Sequence, residues 1–259
     1  MGQTFKILAV GDVVGRSGRQ ILKDKLQGIV DVHRIDMVIV NGENAAGGKS
    51  ITPDIAQEFF SIGTDVITTG NHIWDNSEAL KIIDSQPALL RPANYPEGVR
   101  GHGHCFIERK GFRICVINLQ GRLFMEPIDC PFRAFDRLYG QVKDSADVII
   151  VDFHAEATSE KRALGWYLDG RATALFGTHT HVMTADEDIL PKGTGYITDI
   201  GMTGSFDSVI GINKENSMKR FLTFTRVKFE VAEGNCKVNA IMLEVNKEGK
   251  TESIARIIA

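Results

Sequence analysis

The sequence predicts an α/β fold, with parallel-type βα units over the first two thirds and a β-rich antiparallel tail. Two observations carry this. Short apolar runs such as Met37–Asn41 and Val148–Asp152 alternate with helix-like segments, as strands buried on both faces do. Toward the end, Phe221–Phe229, Lys237–Val245 and Ser253–Ile258 alternate apolar with polar residues, separated by turns at Glu233-Gly234-Asn235 and Glu248-Gly249.

Phe5–Val10 reads as the first strand, and Gly18–Leu26 as the start of a helix. After the Met37–Asn41 strand, Thr52-Pro53 opens a second helix: Thr caps free N–H groups and Pro suits the first turn. Val66–Thr69 is a third strand, followed by a helix over about Asn76–Asp84. Cys105–Glu108 and Phe112–Leu119, joined by Arg109-Lys110-Gly111, form a hairpin. Val148–Asp152 and Ala174–Gly177 are further buried strands. No repeat, low-complexity stretch or linker interrupts the 259 residues, so one domain is expected over 1–259.

Thirty Lys and Arg against 33 acids give a formal charge of -3, so no broad pull toward nucleic acid or anionic membrane exists and no stable nucleic-acid complex is expected. No apolar run nears the roughly 20 residues of a membrane helix, and no signal peptide is visible. Cys105, Cys115, Cys130 and Cys236 are scattered without a C-x-x-C pair, which fits free thiols in a reducing cytoplasm.

Five short polar stretches each end a predicted strand: Gly11-Asp12, Asn41-Gly42-Glu43-Asn44, Gly70-Asn71-His72, Asp152-Phe153-His154, and Gly177-Thr178-His179-Thr180-His181. Carboxyl ends of parallel strands share one edge, where ligands bind. Carboxylates, amides and imidazoles without thiolate suit two divalent transition ions such as Fe, Mn or Zn. Singly each stretch has an ordinary explanation: Asp12 as a helix cap, Asn71 as a turn residue, His154 as a hydrogen-bonded semi-buried ring. Five at strand ends in one chain favour a shared site. His102 and His104 spell a second His-x-His but precede a strand, so they are expected on the opposite edge. Gln120–Met125 and Met202–Gly211 read as long loops for binding or subunit contacts, with plain surface connections the equal alternative. Arg91 is a candidate phosphate contact, a surface salt bridge being the commoner role.

In this order the motifs resemble the calcineurin-like metallophosphoesterase superfamily: Asp12, then Asn41 to Asn44, Gly70-Asn71-His72, His154 and Gly177 to His181. Val14 stands where that pattern has a histidine, and Glu43 where it has a bridging aspartate. Both departures resemble the YmdB-like phosphodiesterase branch, as do the Leu90–Pro96, Asp152–Lys161 and Gly201–Gly211 stretches.

The resemblance implies a four-layer metallophosphoesterase sandwich, two mixed sheets face to face and flanked by helices. It implies two metal ions, with Asp12, Glu43, Asn44 and His181 holding the first. Glu43 would bridge, and Asn71, His154 and His179 would complete the second. It also implies hydrolysis of 2′,3′-cyclic nucleotides to 3′-nucleotides by a hydroxide shared between the ions, with His72 as general acid. A homo-oligomer is compatible with it.

The alternatives are a phosphomonoesterase or phosphoprotein phosphatase with the same ligands, and a non-catalytic RNA-binding or regulatory protein on the same fold. A dinucleotide-binding loop fits poorly. The spacing is Gly-x-x-x-Gly-x-x-Gly, and Asp12 puts a negative charge where phosphate would sit. The glycines of the first turn read instead as packing and turn positions around Asp12.

Overall fold

The computed structural model describes residues 4–259. In chain order the elements are β1 (Phe5–Val10), β2 (Asp12–Val13), α1 (Gly15–His33), β3 (Met37–Asn41), α2 (Pro53–Ser61), β4 (Val66–Thr68), β5 (His104–Arg109) and β6 (Phe112–Gln120). They continue with α3 (Pro131–Val142), β7 (Val148–His154), α4 (Thr158–Leu168), β8 (Ala174–Thr178), β9 (Asp188–Ile189), β10 (Gly195–Ile197), β11 (Met202–Ser205), α5 (Lys214–Thr223), β12 (Cys236–Lys237), β13 (Asn239–Val245) and β14 (Thr251–Ile258).

One sheet runs β14-β13-β1-β3-β4 and a second β5-β6-β7-β8-β10-β9. β1, β3 and β4 are parallel, as are β6, β7, β8 and β10, while β13 pairs antiparallel with β1 and β14, β5 with β6, and β9 with β10. A small sheet of β12, β11 and β2 closes one end.

Side-chain alternation along each strand explains the layering. On β1, Ile7 and Ala9 face Ile114, Val116, Ile150 and Phe176 of the second sheet, forming the core between the sheets. Leu8 and Val10 face the other way, onto Leu22, Leu26 and Phe59 of α1 and α2. On the far side, Ile117 and Val151 pack against Phe135 of α3 and Leu164 of α4. The four-layer sandwich expected from the motifs is therefore present, as two mixed sheets with helices outside.

Three sequence expectations are corrected. The helix over Asn76–Asp84 is a pair of 3-10 turns, Asn71–Asp75 and Ser77–Lys81; Asn76 caps the second through its side chain. Phe221–Phe229 is not a strand. Its first residues end α5, a helix with no buried residue, so its apolar–polar alternation has no sheet to match. Met202–Gly211 is only partly loop, since β11 pairs with β2 inside it.

The first-turn glycines serve close packing. A Cβ at Gly11 would overlap the carbonyl of Gly201, and one at Gly18 that of Thr203. All four cysteines are free thiols, and burial pushes Cys105 and Cys115 up to about 12. No helix among the described residues is long and apolar enough to cross a membrane.

Candidate metal centre

The parallel strands deliver their polar ends to one edge. β1 leads to Asp12, β3 to Glu43 and Asn44, β4 to Asn71 and His72, β7 ends at His154, and β8 leads to His179 and His181. Gly70 lets these ends meet, because a Cβ there would strike both the His154 ring and the Glu43 carboxylate.

The donors fall into two overlapping groups. His154 Nε2 lies 3.0 Å from Glu43 Oε1, 3.2 Å from Asn71 Oδ1 and 3.0 Å from His179 Nδ1. Beside it, His181 Nε2 lies 3.3 Å from Asn44 Oδ1 and 3.8 Å from Asp12 Oδ1. All seven predicted ligands are thus brought together. Glu43, His154 and His179 each direct one ligand atom to within 4.8 Å of the others.

The hydrogen bonds around these side chains fix which atoms face inward. The Thr178 hydroxyl donates to Asp152 Oδ1 (2.7 Å) and so accepts from His154 Nδ1–H (2.9 Å). His181 Nδ1–H donates to the Ile210 carbonyl at 2.8 Å. In the neutral rings, both Nε2 lone pairs then point into the cluster. His179 approaches Glu156 through Nε2 (3.1 Å), which leaves Nδ1 inward. Asn44 Nδ2 donates to the Gly48 carbonyl (3.0 Å), which turns Oδ1 toward His181.

With the rings neutral, the result is a buried convergence of lone pairs with too few protons between them. Asp12 Oδ1 is buried and meets His181 Nε2 only at 3.8 Å, while buried Glu43 Oε1 has only the His154 ring beside it at 3.0 Å. Unpartnered buried carboxylate oxygens are costly unless a cation meets them. The donor set and these orphaned atoms fit a divalent cation.

The electrostatics agree. Burial opposes ionisation of Glu43, but the neighbouring His154 outweighs it and holds the carboxyl at about 2. Burial likewise opposes charge on His154, but Glu43, then Asp12 and Asp152, raise it to about 9. Burial and the nearby His154 push His179 down to about 3, leaving a neutral imidazole. Burial raises Asp12, against the pull of His181 and His154, and raises Asp152 to about 7.

His72 is at the edge of the cluster, one residue after Asn71. Its backbone N–H donates to Glu43 Oε2 (3.2 Å), while ring Nδ1 meets Asp75 Oδ2 at 2.9 Å. Asp75 also accepts from Lys49 Nζ at 2.9 Å. Burial would raise the Asp75 carboxyl, but these two bonds hold it below its usual range. The ring lines a cleft of about 560 Å³ that also contains Glu43, Asn44, His179 and His181.

Sequence reasoning gave no individual role to Glu156, Thr178, Asp152, Ile210, Lys161 or Asp199. The last two form a pair with Nζ–Oδ2 of 2.6 Å and side chains no more than 1% exposed. Asp199 Oδ2 also accepts from Thr180 N (3.2 Å) and Thr180 Oγ1 (2.8 Å), and Oδ1 accepts from Gly201 N (2.8 Å). This clamp grips the residue between His179 and His181, both at positive φ (95° and 64°). Non-glycine residues hold such conformations only where the surroundings enforce them.

The His102/His104 expectation fails in its reasoning. β5 runs antiparallel to β6, so its start faces the carboxyl end of β6, where Gly103 accepts from Asn118 N. The pair stays out of the cluster because β5 is the outermost strand and His102 is bound to the Asp84 carbonyl. Arg91 is neither a phosphate contact nor an ion pair. Its guanidinium donates to the carbonyls of Pro92, Val99 and Arg100.

Comparison with known proteins places this geometry. A 2′,3′-cyclic-nucleotide 2′-phosphodiesterase of Bacillus subtilis (strain 168) is 48% identical over 246 residues, covering 95% of this chain and 93% of the relative. The crystal structure of a Mycoplasma pneumoniae protein described as a novel phosphatase superposes with a TM-score of 0.94 at 36% identity, over 100% of this chain and 94% of that one. A 5′-nucleotidase precursor from Thermus thermophilus shares the fold alone, with a TM-score of 0.59 at 12% identity over 99% of this chain and 54% of that one. The profile of the YmdB-like protein family matches residues 8–257, and the chain belongs to that family.

Proposed function

We propose that this protein is a metal-dependent phosphodiesterase that opens 2′,3′-cyclic nucleotides to 3′-nucleotides. The observation that carries the reading is the convergence of His154 Nε2 with Glu43, Asn71 and His179, of which Glu43 and His179 line the cleft. The activity named for the Bacillus subtilis relative supports the choice of diester. The proposal extends to one domain over 1–259 and a cytoplasmic location.

Asp12, Glu43, Asn44 and His181 would hold one divalent cation. Asn71, His154 and His179, with Glu43 shared, would hold the other; Fe or Mn are the first choices and Zn the third. Such ions, when bound, supply Lewis acidity to phosphoryl oxygens and lower the pKa of water from 15.7 toward about 7. The remaining steps belong to the chain. Water forms the new P–O bond and gives up a proton to solvent, the P–O2′ bond breaks in line with it, and the protonated His72 ring delivers its Nε2 proton to the departing 2′ oxygen. Asp75 orients the ring, so His72 is the proposed catalytic acid and Asp75 its positioning residue.

The direct test is a substrate panel of 2′,3′-cyclic AMP, 3′,5′-cyclic AMP and a phosphomonoester, run before and after chelation. The 2′,3′-cyclic substrate should be turned over fastest, with loss on chelation and recovery on adding Mn²⁺ or Fe²⁺. A phosphomonoester turned over faster would favour the monoesterase reading, which the description of the Mycoplasma pneumoniae structure also suggests. His179→Ala and Glu43→Gln should lower the metal-to-protein ratio, and an unchanged ratio in both would remove the ligand set.

Metal uptake should also depend on pH with a definite sign. Metal ligands must be deprotonated. Glu43, at about 2, and His179, at about 3, already meet that condition near neutrality, whereas His154, at about 9, carries a proton there. Binding at pH 7 should therefore release about one proton. Apparent affinity should rise about tenfold per pH unit and level off above about pH 9. Titration calorimetry in two buffers of different ionisation enthalpy measures the released proton.

A further inference from the structure

We propose that the apolar part of the cleft lining beside the metal cluster, centred on Phe229 and the Val209–Ile212 turn, is the nucleobase subsite. This inference rests on the cyclic-nucleotide reading and adds what recognises the base. The cleft lining is of two chemical kinds. Glu43, Asn44, His179 and His181 are polar, while Phe229, Ile210, Ile212 and Val14 are apolar. A nucleotide has the same division, an anionic phosphate and a flat base with apolar faces. The cleft volume of about 560 Å³ lies within the roughly 300–1,000 Å³ typical of small-molecule sites.

The wall is built against the metal loop. Phe229 packs over Gly48, where a Cβ would come within 2.5 Å of the Phe229 ring. Gly48 is also the residue whose carbonyl holds the Asn44 amide. The Phe229 ring therefore lies beside the loop that presents two candidate ligands.

Ile210 links the two kinds of lining. Its carbonyl accepts from His181 Nδ1, while the side chain is half exposed and lines the cleft. It does this at φ 48°, a conformation that is a genuine outlier for a β-branched residue. The turn is held by reciprocal hydrogen bonds between Val209 and Ile212 (2.9 and 3.0 Å) and by Ser208 Oγ, which accepts from Gly211 N. Strain kept in a turn that orients a metal ligand and displays an apolar side chain to the same cleft points to a binding role. An aromatic face beside aliphatic side chains suits stacking that tolerates any base, because every base has a π-face. Arg220, which also lines the cleft, offers a cation to an anionic ligand.

The test compares 2′,3′-cyclic AMP with ribose 2′,3′-cyclic phosphate, which lacks the base, using metal-loaded enzyme. Phe229→Ala should lower the ratio of kcat/KM values for the two substrates about tenfold, mainly through KM for the nucleotide. Phe229→Tyr, which keeps an aromatic face, should restore most of the ratio. A ratio unaltered in Phe229→Ala, or restored no better by Tyr than by Leu, overturns the subsite. A second arm measures 3′-AMP binding relative to inorganic phosphate by calorimetry and requires no turnover. If the unaltered enzyme hydrolyses neither cyclic substrate, the phosphodiesterase reading fails. In that case a preference for 3′-AMP that is lost in Phe229→Ala still supports the subsite, and its absence overturns it.

Discussion

Replacing His72 by alanine should lower turnover of 2′,3′-cyclic AMP by about 10²–10⁴-fold while leaving the metal-to-protein ratio intact. The two outcomes separate because His72 has two distinct contacts. Its backbone N–H donates to Glu43 Oε2, and alanine keeps that bond. Its ring touches Asp75 and the cleft, and alanine removes it. Asp75→Asn should fall in the same direction by a smaller factor, since the protonated ring would lose the carboxylate charge that orients it. The measurement is elemental analysis beside steady-state kinetics on each variant. Full activity in His72→Ala would remove the acid assignment. Activity and metal lost together would make His72 a structural residue.

The site was legible in the sequence to the extent that it depends on strand ends. Asp12, Glu43, Asn71, His154 and His179 each follow a short apolar run, and parallel strands carry such endpoints to one edge whatever lies between them. The sandwich was legible for the same reason: β1, β3, β7 and β8 are buried on both faces and read as continuous apolar stretches.

The failures share a physical cause: each depends on a partner distant in sequence. Alternation over Phe221–Phe229 signals a strand only if a sheet takes its apolar side. Here α5 buries nothing, and Phe229 turns toward the cleft. The His102/His104 expectation treated strand order as if β5 ran parallel to β6, although a hairpin reverses direction. Ile210 acts through its carbonyl, which no side-chain pattern records, and reaches His181 across 29 residues. The Thr178–Asp152 contact that orients His154 spans 26 residues, and only the register of β7 against β8 brings it about.

Lys161→Met should cost about 3–5 kcal/mol of stability, the usual penalty for stranding one charge of a fully buried pair. For a chain of this size that corresponds to a fall in Tm of roughly 10 °C. The effect should not stop at stability. With Lys161 gone, buried Asp199 keeps Thr180 N, Thr180 Oγ1 and Gly201 N but carries an uncompensated charge, which favours rearrangement away from those bonds. Thr180 lies between two residues at positive φ, so a looser clamp lets the His179–His181 turn relax away from its strained form. Metal affinity should therefore fall as well. The double variant Lys161→Met/Asp199→Leu separates the two effects, because replacing a buried ion pair with apolar side chains often recovers stability. It should regain part of the lost Tm but none of the metal affinity, since leucine offers Thr180 no acceptor. Thermal unfolding and metal titration on the two variants make the comparison, and a double variant that recovered both would reduce Lys161–Asp199 to core packing.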